Sequence, residues 1–191
     1  MNNKILVTGG SRSGKSLIAE NLALGTSKRP VYISTCKVFD SEMALRVSKH
    51  KKRRNGHWLE YESYTDLVEV INQTDQFGTR LIDCLTLWLN NLIYENIDWK
   101  IEVSKLIECI EQQKNTIILV TNELGSGILP ENKLAREFSD IVGETNSIIA
   151  ENVNKVYFVV SGISLKIKGS FTKTVLRLIS IPSGPSIDKS E

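Results

Sequence analysis

Near the N-terminus the chain reads Lys4-Ile5-Leu6-Val7-Thr8-Gly9-Gly10-Ser11-Arg12-Ser13-Gly14-Lys15-Ser16. The apolar run at residues 5–8 predicts a short buried strand, and residues 17–24 predict a helix that ends at Gly25. Between these elements, residues 9–16 match the spacing G-x-x-x-x-G-K-[ST] without a gap. A chance Gly/Ser-rich turn would not be expected to carry both flanking elements, so the sequence predicts a phosphate-binding loop.

The chemistry of phosphate binding explains the composition of this loop. Glycine lets the backbone approach a phosphate more closely than a residue with a Cβ would allow. Backbone N–H groups and the N-terminus of the following helix face the anion. We expect Lys15 to contact the β- and γ-phosphates of a nucleoside triphosphate, and the Ser16 hydroxyl to bind Mg²⁺. A loop that reads only phosphates does not distinguish GTP from ATP.

The rest of the chain alternates short apolar runs with amphipathic segments. Strands are predicted at residues 31–33, 81–83, 116–120 and 156–160. Helices are predicted at 87–94, at 99–113 with Asp98 as the candidate cap, after the candidate cap Asp40, and from Pro130 onward. This order predicts an α/β fold with a mostly parallel sheet and helices on both faces. We expect one domain over residues 1–168. Residues 169–191 form an extension with a candidate last strand at 175–181 and then a disordered tail.

The composition limits the functional classes. The 191 residues carry a formal net charge of +2, which gives no global field for nucleic acid or membranes. Cys36, Cys84 and Cys109 are widely spaced and form no C-x-x-C pair or zinc-like spacing. No apolar run approaches the roughly 20 residues that span a bilayer, and no signal-peptide pattern precedes the first strand. We therefore expect a reduced, cytoplasmic protein without a membrane segment.

Two acidic residues follow predicted strands. Asp83 ends the strand at 81–83, and beside a phosphate loop we favour a metal-binding role for it, directly or through water, over simple capping of the next segment. Glu123 follows the strand at 116–120 and so lies at the carboxyl edge of the sheet, where ligands bind in α/β proteins. Two roles for Glu123 stay open, one orienting a nucleophile or the metal and the other forming an ion pair within its loop.

The most charged run is Lys49-His50-Lys51-Lys52-Arg53-Arg54. A solvated helix end favoured by the helix dipole is one interpretation, and a nucleic-acid patch is another, although no aromatic residue is interleaved with the run. The phosphate loop favours a third interpretation, a clamp for further phosphates. A neutral imidazole is a nucleophile toward phosphorus, and surrounding cations keep it unprotonated. His50 is therefore the candidate catalytic residue.

Ordered blocks of sequence over residues 5–168 resemble the bifunctional adenosylcobinamide kinase / adenosylcobinamide-phosphate guanylyltransferase family of cobalamin biosynthesis. This ordered series is far more specific than a phosphate loop alone. After residues 5–16 the blocks are Tyr32-Ile33-Ser34-Thr35, residues 40–47 followed by His50, Trp58 with Glu62, Asp83-Cys84-Leu85-Thr86, residues 121–130, Leu134-Ala135-Arg136, Phe138, Asp140, Gly143, Asn146 and Ser161-Gly162-Ile163.

The resemblance implies two reactions. In the first, the γ-phosphoryl group of ATP or GTP passes to the aminopropanol hydroxyl of adenosylcobinamide. In the second, a histidine, by position His50, attacks the α-phosphorus of GTP, and the resulting GMP-histidine passes GMP to adenosylcobinamide phosphate. The product is adenosylcobinamide-GDP. The resemblance also implies a RecA-like fold, a small-molecule corrinoid partner and a homo-oligomer, as a trimer.

The nucleotide contacts of the family map onto this chain residue by residue. The chain departs from the family at Ser11, where Ala or Gly is usual, at Asn55, where Pro is common, and at Cys36, where a hydroxyl residue is frequent. Besides the metal residues Ser16 and Asp83, the contacts are residues 9–16 as quoted above, Ser34, Thr35, Cys36, Lys51, Lys52, Arg53, Arg54 and Glu62.

Two other functions remain as alternatives. A kinase-only enzyme would use the phosphate loop in the same way, and His50 would only bind phosphate or pack. A nucleotide-regulated nucleic-acid-binding module would use the basic run, and would show steep salt dependence. The near-neutral net charge argues against this module.

Overall fold

The computed structural model describes residues 3–54, 56–128 and 130–169. Besides the strands and α-helices given next, it contains a short 3-10 helix at Asp75–Phe77. The strands are β1 (Lys4–Gly9), β2 (Val31–Ser34), β3 (Leu59–Glu62), β4 (Arg80–Asp83), β5 (Ile117–Val120), β6 (Lys155–Val160) and β7 (Ile163–Lys168). The helices are α1 (Lys15–Leu24), α2 (Ser41–Arg54), α3 (Leu67–Gln73), α4 (Leu85–Tyr94), α5 (Trp99–Gln112) and α6 (Lys133–Asn152).

In the described residues the strands form a seven-stranded sheet in the order β3-β2-β4-β5-β1-β6-β7. All neighbouring pairs are parallel except β6 and β7, which are antiparallel. The order places β1 between β5 and β6, so that β5 separates β1 from β4. The carboxyl ends of the parallel strands meet at one edge, where the phosphate loop and Asp83 both lie.

The sheet is covered on both faces, as the alternating sides of β1 show. Ile5 and Val7 belong to one buried cluster, which also contains Ala19 and Ala23 of α1. Leu6 belongs to the other cluster, which contains buried residues of α3, α4, α5 and α6. Successive side chains of a strand point to opposite faces, so a continuous apolar run is expected where both faces are buried. The predicted α/β fold with a mostly parallel sheet is confirmed.

The boundaries of several helices differ from the predicted ones. Asp40 and Asp98 cap α2 and α5 as predicted, because their carboxylates accept from the N–H groups of Met43 and Lys100 at 2.7 and 2.9 Å. The long helix predicted from Pro130 begins only at Lys133, because the side chain of Asn132 caps it. Helices α1 and α4 each begin two residues earlier than predicted.

Three elements had no counterpart in the sequence prediction. Strand β3 carries two glutamates and alternates half-buried with exposed residues, and β7 lies at the sheet edge with mostly exposed side chains. Helix α3 is only seven residues long. Short or half-exposed elements give weak periodic signals, which explains why they were missed. The predicted strand at 175–181 and the tail after it lie outside the described residues, as do residues 170–191 of the proposed extension.

No helix in the described part of the chain is long and apolar enough to cross a membrane.

Candidate active site

The phosphate loop joins the carboxyl end of β1 to the first turn of α1, and its neighbours restrain its backbone. A Cβ on Gly9 would lie 2.3 Å from the carbonyl oxygen of Val159 on β6, so the position requires glycine. Gly14 precedes α1 with a φ of +97°, a conformation that glycine adopts without strain. The N–H of Gly162, in the turn between β6 and β7, donates to the carbonyl of Ser13 at 2.8 Å. Strand β6 and its turn therefore hold the loop in place.

Lys15 begins α1 and is buried, with 7% of the residue exposed. Its Nζ donates to the carbonyl oxygen of Gly10 at 2.7 Å. Burial lowers the pKa of Lys15, and nearby Cys84 and Asp83 oppose that shift. A phosphate oxygen is a charged and stronger acceptor than a carbonyl. The ammonium is therefore placed to exchange its loop carbonyl for a phosphate.

A cleft of about 790 Å³ opens beside the phosphate loop at the carboxyl edge of the sheet. Its volume is in the range of pockets that take small ligands and cofactors. Most of the residues predicted from the sequence line it. They are the loop residues Ser11, Arg12, Ser13, Gly14, Lys15 and Ser16, then Ser34, Cys36 and Asp83 at strand ends, and His50, Arg53 and Arg54 of α2.

Asp83 lies at the carboxyl end of β4 and is oriented by a tyrosine. The Tyr32 hydroxyl donates to Asp83 Oδ2 at 3.0 Å. Burial raises the pKa of Tyr32, and the negative charge of Asp83 adds to the shift, so this hydroxyl stays a donor. Asp83 and Ser16 line the same cleft and offer oxygen ligands, the type that Mg²⁺ prefers. The described residues contain no cluster of three His, Cys, Asp or Glu side chains that could hold a metal.

His50 lies near the end of α2 and faces the cleft with Met43 and Val47. Its Nδ1 lies 3.5 Å from Nη2 of Arg53. Burial lowers the pKa of His50; the charges of Arg53 and Arg54 lower it further, while Asp83 and Glu20 act in the opposite direction. A guanidinium only donates, so a hydrogen bond from Arg53 requires a free lone pair on Nδ1. The environment favours the neutral imidazole that nucleophilic attack needs.

Carboxylates neutralise three basic residues of α2. Arg53 makes a bidentate ion pair with Glu20 of α1, with distances of 2.9 and 2.7 Å. Lys51 Nζ lies 3.4 Å from Glu62 Oε1 at the surface. The third pair joins Arg54 Nε to Glu60 Oε1 at 2.9 Å.

Arg54 is also the most enclosed of these cations, with 4% of the residue exposed. Its guanidinium stacks 3.7 Å from the ring centroid of Tyr32, which meets Trp58 edge-on. Within the described residues its Nη1 atom is buried and has no hydrogen-bond partner. A buried donor without a partner is costly, and an anion in the cleft would satisfy it.

Some predicted contact residues lie away from the lining of the cleft. Thr35 is fully buried, and its hydroxyl donates to the carbonyl of Cys84 at 2.7 Å and accepts from the N–H of Cys84 at 2.9 Å. This side chain joins the ends of β2 and β4. Gly9, Gly10, Lys51, Lys52 and Glu62 are also outside the lining of the cleft, so their contacts with nucleotide stay predictions.

Glu123 shapes its own loop. Its N–H donates to the carbonyl of Gly9 at 2.9 Å, and its Oε1 accepts from the N–H of Gly125 at 2.9 Å. The preceding residue, Asn122, lines the cleft instead. The side chain of Glu123 therefore supports the loop after β5, and neither of its predicted roles gains support from these contacts.

Several cleft residues had no predicted role in the site. Tyr32, Asn122 and Leu87 line the cleft, and Gly162 supports the phosphate loop. The position of Asn122 directly after a strand was an available signal, since ligands gather at that edge. The role of Gly162 depends on β6 lying beside β1, and the local sequence does not predict that pairing.

Comparison with known proteins gives consistent matches. Residues 5–167 match the sequence model of the family described as cobinamide kinase / cobinamide phosphate guanyltransferase. The chain is 39% identical to the bifunctional adenosylcobalamin biosynthesis protein CobU of Escherichia coli (strain K12), over 86% of this chain and 99% of that protein. It is 38% identical to the bifunctional adenosylcobalamin biosynthesis protein CobP of Pseudomonas aeruginosa, over 86% and 96%.

Solved structures share the fold at low identity. A protein from Pyrococcus horikoshii OT3 has a TM-score of 0.52 and 10% identity, covering 87% of this chain and 86% of its own. A KaiC-like protein from the same organism has a TM-score of 0.47 and 13% identity, covering 82% and 71%. The TM-score of 0.52 shows a likeness in fold alone, and the fold in this chain is a mostly parallel sheet with helices on both faces.

Proposed function

The chain belongs to the cobinamide kinase / cobinamide phosphate guanyltransferase family, and from that premise we propose that it phosphorylates adenosylcobinamide and then guanylylates the product through a GMP-histidine at His50. Membership makes it a transferase of cobalamin biosynthesis with kinase and nucleotidyltransferase activities. The finer statement concerns the substrates ATP and GTP, the covalent intermediate and the residues that form it.

One observation carries the proposal: a single cleft is lined by Lys15 of the phosphate loop and by His50, whose environment favours a neutral imidazole. A kinase needs only the first of these groups. A histidine with a lowered pKa, beside two arginines and opposite a phosphate loop, fits attack on phosphorus.

In the kinase step, the acceptor hydroxyl attacks the γ-phosphorus. A new O–P bond forms, the bond from the γ-phosphorus to the β–γ bridging oxygen breaks, and the hydroxyl proton is lost. The backbone N–H groups of residues 9–16 and the ammonium of Lys15 bind the β- and γ-phosphates and stabilise their charge. Ser16 and Asp83 would hold Mg²⁺, which when bound neutralises phosphate charge.

In the transferase step, neutral His50 attacks the α-phosphorus of GTP with the ring nitrogen that carries its one lone pair, and where that nitrogen is Nδ1 the hydrogen bond from Arg53 is given up. A P–N bond forms, and the bond to the α–β bridging oxygen breaks as pyrophosphate leaves. A phosphate oxygen of adenosylcobinamide phosphate then attacks the same phosphorus, and the P–N bond breaks. Arg53 and Arg54 stand beside His50 and would stabilise charge on the transferred group. Their carboxylate partners Glu20 and Glu60 would be exchanged for phosphate oxygens.

The remaining parts of the proposal follow from the family. We place the catalytic domain at residues 1–168 with an extension at 169–191. The acting form is a cytoplasmic homo-oligomer, as a trimer, with a corrinoid and no nucleic acid as partner. The predicted contacts of Ser34, Cys36, Thr35, Lys51, Lys52 and Glu62 with the nucleotide belong to this proposal as well.

The test uses GTP labelled at the α-phosphorus, without any corrinoid. Wild-type protein should acquire covalent label that is stable to base and labile to acid, and His50→Ala should acquire none. Phosphorylation of adenosylcobinamide from γ-labelled nucleotide should survive in His50→Ala. If folded, GTP-binding wild type takes no α-label, the kinase-only alternative replaces the transferase.

A further inference from the structure

Two aromatic side chains, one just before α2 and one at the end of α4, are largely exposed to solvent. Phe39 is 57% exposed and Tyr94 is 70% exposed, and Val38 beside them is 47% exposed. We name Val38, Phe39 and Tyr94 the aromatic patch. Large aromatic side chains usually contribute to cores and interfaces, so exposed neighbouring rings call for a ligand or partner.

The aromatic patch is held in place by a cation and an ion pair. The ring centroids of Phe39 and Tyr94 are 6.3 Å apart, with the planes tilted by 52°. Lys37 Nζ lies 5.8 and 6.0 Å from the two centroids and 3.1 Å from Glu95 Oε1. The ion pair ties the segment after β2 to the end of α4. The patch therefore has an apolar centre and a charged rim.

Chain continuity connects the aromatic patch to the cleft. Cys36 lines the cleft, and Phe39 follows it by three residues. Leu87 lines the cleft on α4, and Tyr94 follows it by seven residues, which is about 10 Å along a helix. Tyr94 of the patch therefore lies about 10 Å along α4 from a residue that lines the cleft.

The proposed acceptor has a shape that this arrangement suits. A corrinoid such as adenosylcobinamide is a broad ring system with apolar surfaces and peripheral amides, and its reacting hydroxyl sits at the end of an aminopropanol arm. That arm extends roughly 8 Å, because it is a chain of several bonds of about 1.5 Å each. A cleft of about 790 Å³ that holds a nucleotide leaves the macrocycle outside.

We propose that the aromatic patch docks the corrin macrocycle of the acceptor, while the arm reaches into the cleft. Phe39 and Tyr94 contact the ring system, and Lys37 and Glu95 hydrogen-bond its peripheral amides. This inference rests on the proposed function. Two aromatic side chains bury about 300–500 Å², below the roughly 800 Å² per partner of a stable interface, so the patch by itself does not account for the proposed trimer.

The experiment measures binding of adenosylcobinamide to the full chain by equilibrium dialysis, followed through corrin absorbance. The variants are Phe39→Ala, Tyr94→Ala and their double variant. Tyr94→Phe keeps the ring, and Phe77→Ala removes another partly exposed phenylalanine, from the 3-10 helix that precedes β4. We expect each alanine variant to raise Kd about fivefold to tenfold, and the double variant more. Tyr94→Phe and Phe77→Ala should stay within twofold, and labelling of His50 by α-labelled GTP should be unchanged.

Two outcomes overturn the inference alone. Wild type could phosphorylate adenosylcobinamide while the double variant, which still labels His50, binds it with unchanged Kd. The variants could instead change the sedimentation of the protein while leaving acceptor Kd unchanged, which would assign the patch to a second copy. If wild type does not bind adenosylcobinamide at all, the proposed acceptor fails and the inference with it. Loss of α-label in wild type would reject the transferase step and leave the Kd comparison to decide the patch.

Discussion

The phosphate loop and helix α2 border the same cleft, but they are attached to the molecule in different ways. The loop is enclosed by backbone, with Gly9 against the carbonyl of Val159 and Ser13 bonded to Gly162. Among the described side chains of α2 only Arg54 is buried. Ion pairs from Arg53, Arg54 and Lys51 join the end of this helix to α1 and β3.

The two attachments differ in what a nucleotide could change. The loop is held by backbone contacts, whereas the cations of α2 are held by carboxylates that a phosphate could replace. The backbone contacts that hold the loop involve no charged side chain. The exposed pair of Lys51 with Glu62 can exchange its carboxylate for a phosphate at little cost, because both anions accept from the same donor, whereas release of the buried Glu20 costs more. The site therefore combines a rigid half with a half that can respond to the nucleotide.

The largest effect is expected from changing the backbone of the loop. In Gly9→Ala the new Cβ would approach Val159 O to 2.3 Å, at a backbone φ of +153°. We expect a loss in the free energy of unfolding of about 3 kcal/mol or more, measured by urea denaturation. Gly10→Ala is the control, since a Cβ at Gly10 meets nothing within 4 Å. Equal stability of the two variants would contradict the fixed backbone.

The next effect separates the two halves by activity. Lys15→Ala should lower both phosphoryl transfer and guanylyl transfer by about 10²–10³-fold, because both steps use the same triphosphate site. His50→Ala should abolish guanylyl transfer and leave most of the phosphoryl transfer. The two rates are followed separately with γ-labelled and α-labelled GTP. A parallel loss of both activities in His50→Ala would assign α2 to general nucleotide binding.

A smaller effect concerns the protonation of His50. Burial and then the Arg53 charge lower its pKa, so we expect NMR titration of the imidazole in the free protein to give a midpoint below about 6.5. The neutral form then persists to lower pH than in an ordinary histidine. Arg53→Met removes a positive charge and should move the midpoint upward. The signal is assigned with His50→Ala, and a midpoint above 6.5 in wild type would contradict the prediction.

The smallest effects are those on stability and tryptic cleavage when the ion pairs of α2 are broken one at a time. Glu20 is buried at 4% exposure, so Glu20→Gln should cost about 1 kcal/mol of unfolding free energy and speed tryptic cleavage within α2. Glu62 is paired at the surface, and Glu62→Gln should change stability by less than about 0.5 kcal/mol. Glu137→Gln, which breaks an exposed pair on α6, is the control for charge alone. Equal tryptic cleavage in all three variants would mean that Glu20 does not anchor the helix.

Much of the fold and site followed from local pattern. The phosphate loop, the capping residues Asp40 and Asp98, and the buried strands were predicted because each is a short-range feature of a few consecutive residues. The edge strands β3 and β7 were not predicted, because a strand exposed on one side carries a mixed pattern. The register that seats Gly162 against Ser13 depends on residues about 150 apart in the chain.

The remaining differences between the predicted and the observed site concern the partners of individual side chains. Sequence proximity grouped Thr35 with Ser34 and Cys36, but the alternation of a strand end turns Thr35 inward to Cys84 while its neighbours line the cleft. Tyr32 was predicted only as a strand residue, although its hydroxyl reaches Asp83 on the adjacent strand. Pairs such as Arg53 with Glu20 also join different elements and leave no local signal.

The sequence alone determined the chemistry that this protein can offer: a phosphate loop, a strand-end aspartate and a histidine among cations. These depend on residue type and short spacing, which covalent geometry converts directly into a strand, a loop and a helix. Only the tertiary structure decided which groups meet. The order of strands in the sheet sets Asp83 beside Tyr32, and the ion pair of Arg53 with Glu20 joins α2 to α1, so that His50 and Lys15 line one cleft. Such contacts join residues distant in the chain, because strand pairing and ion pairs bring their elements together.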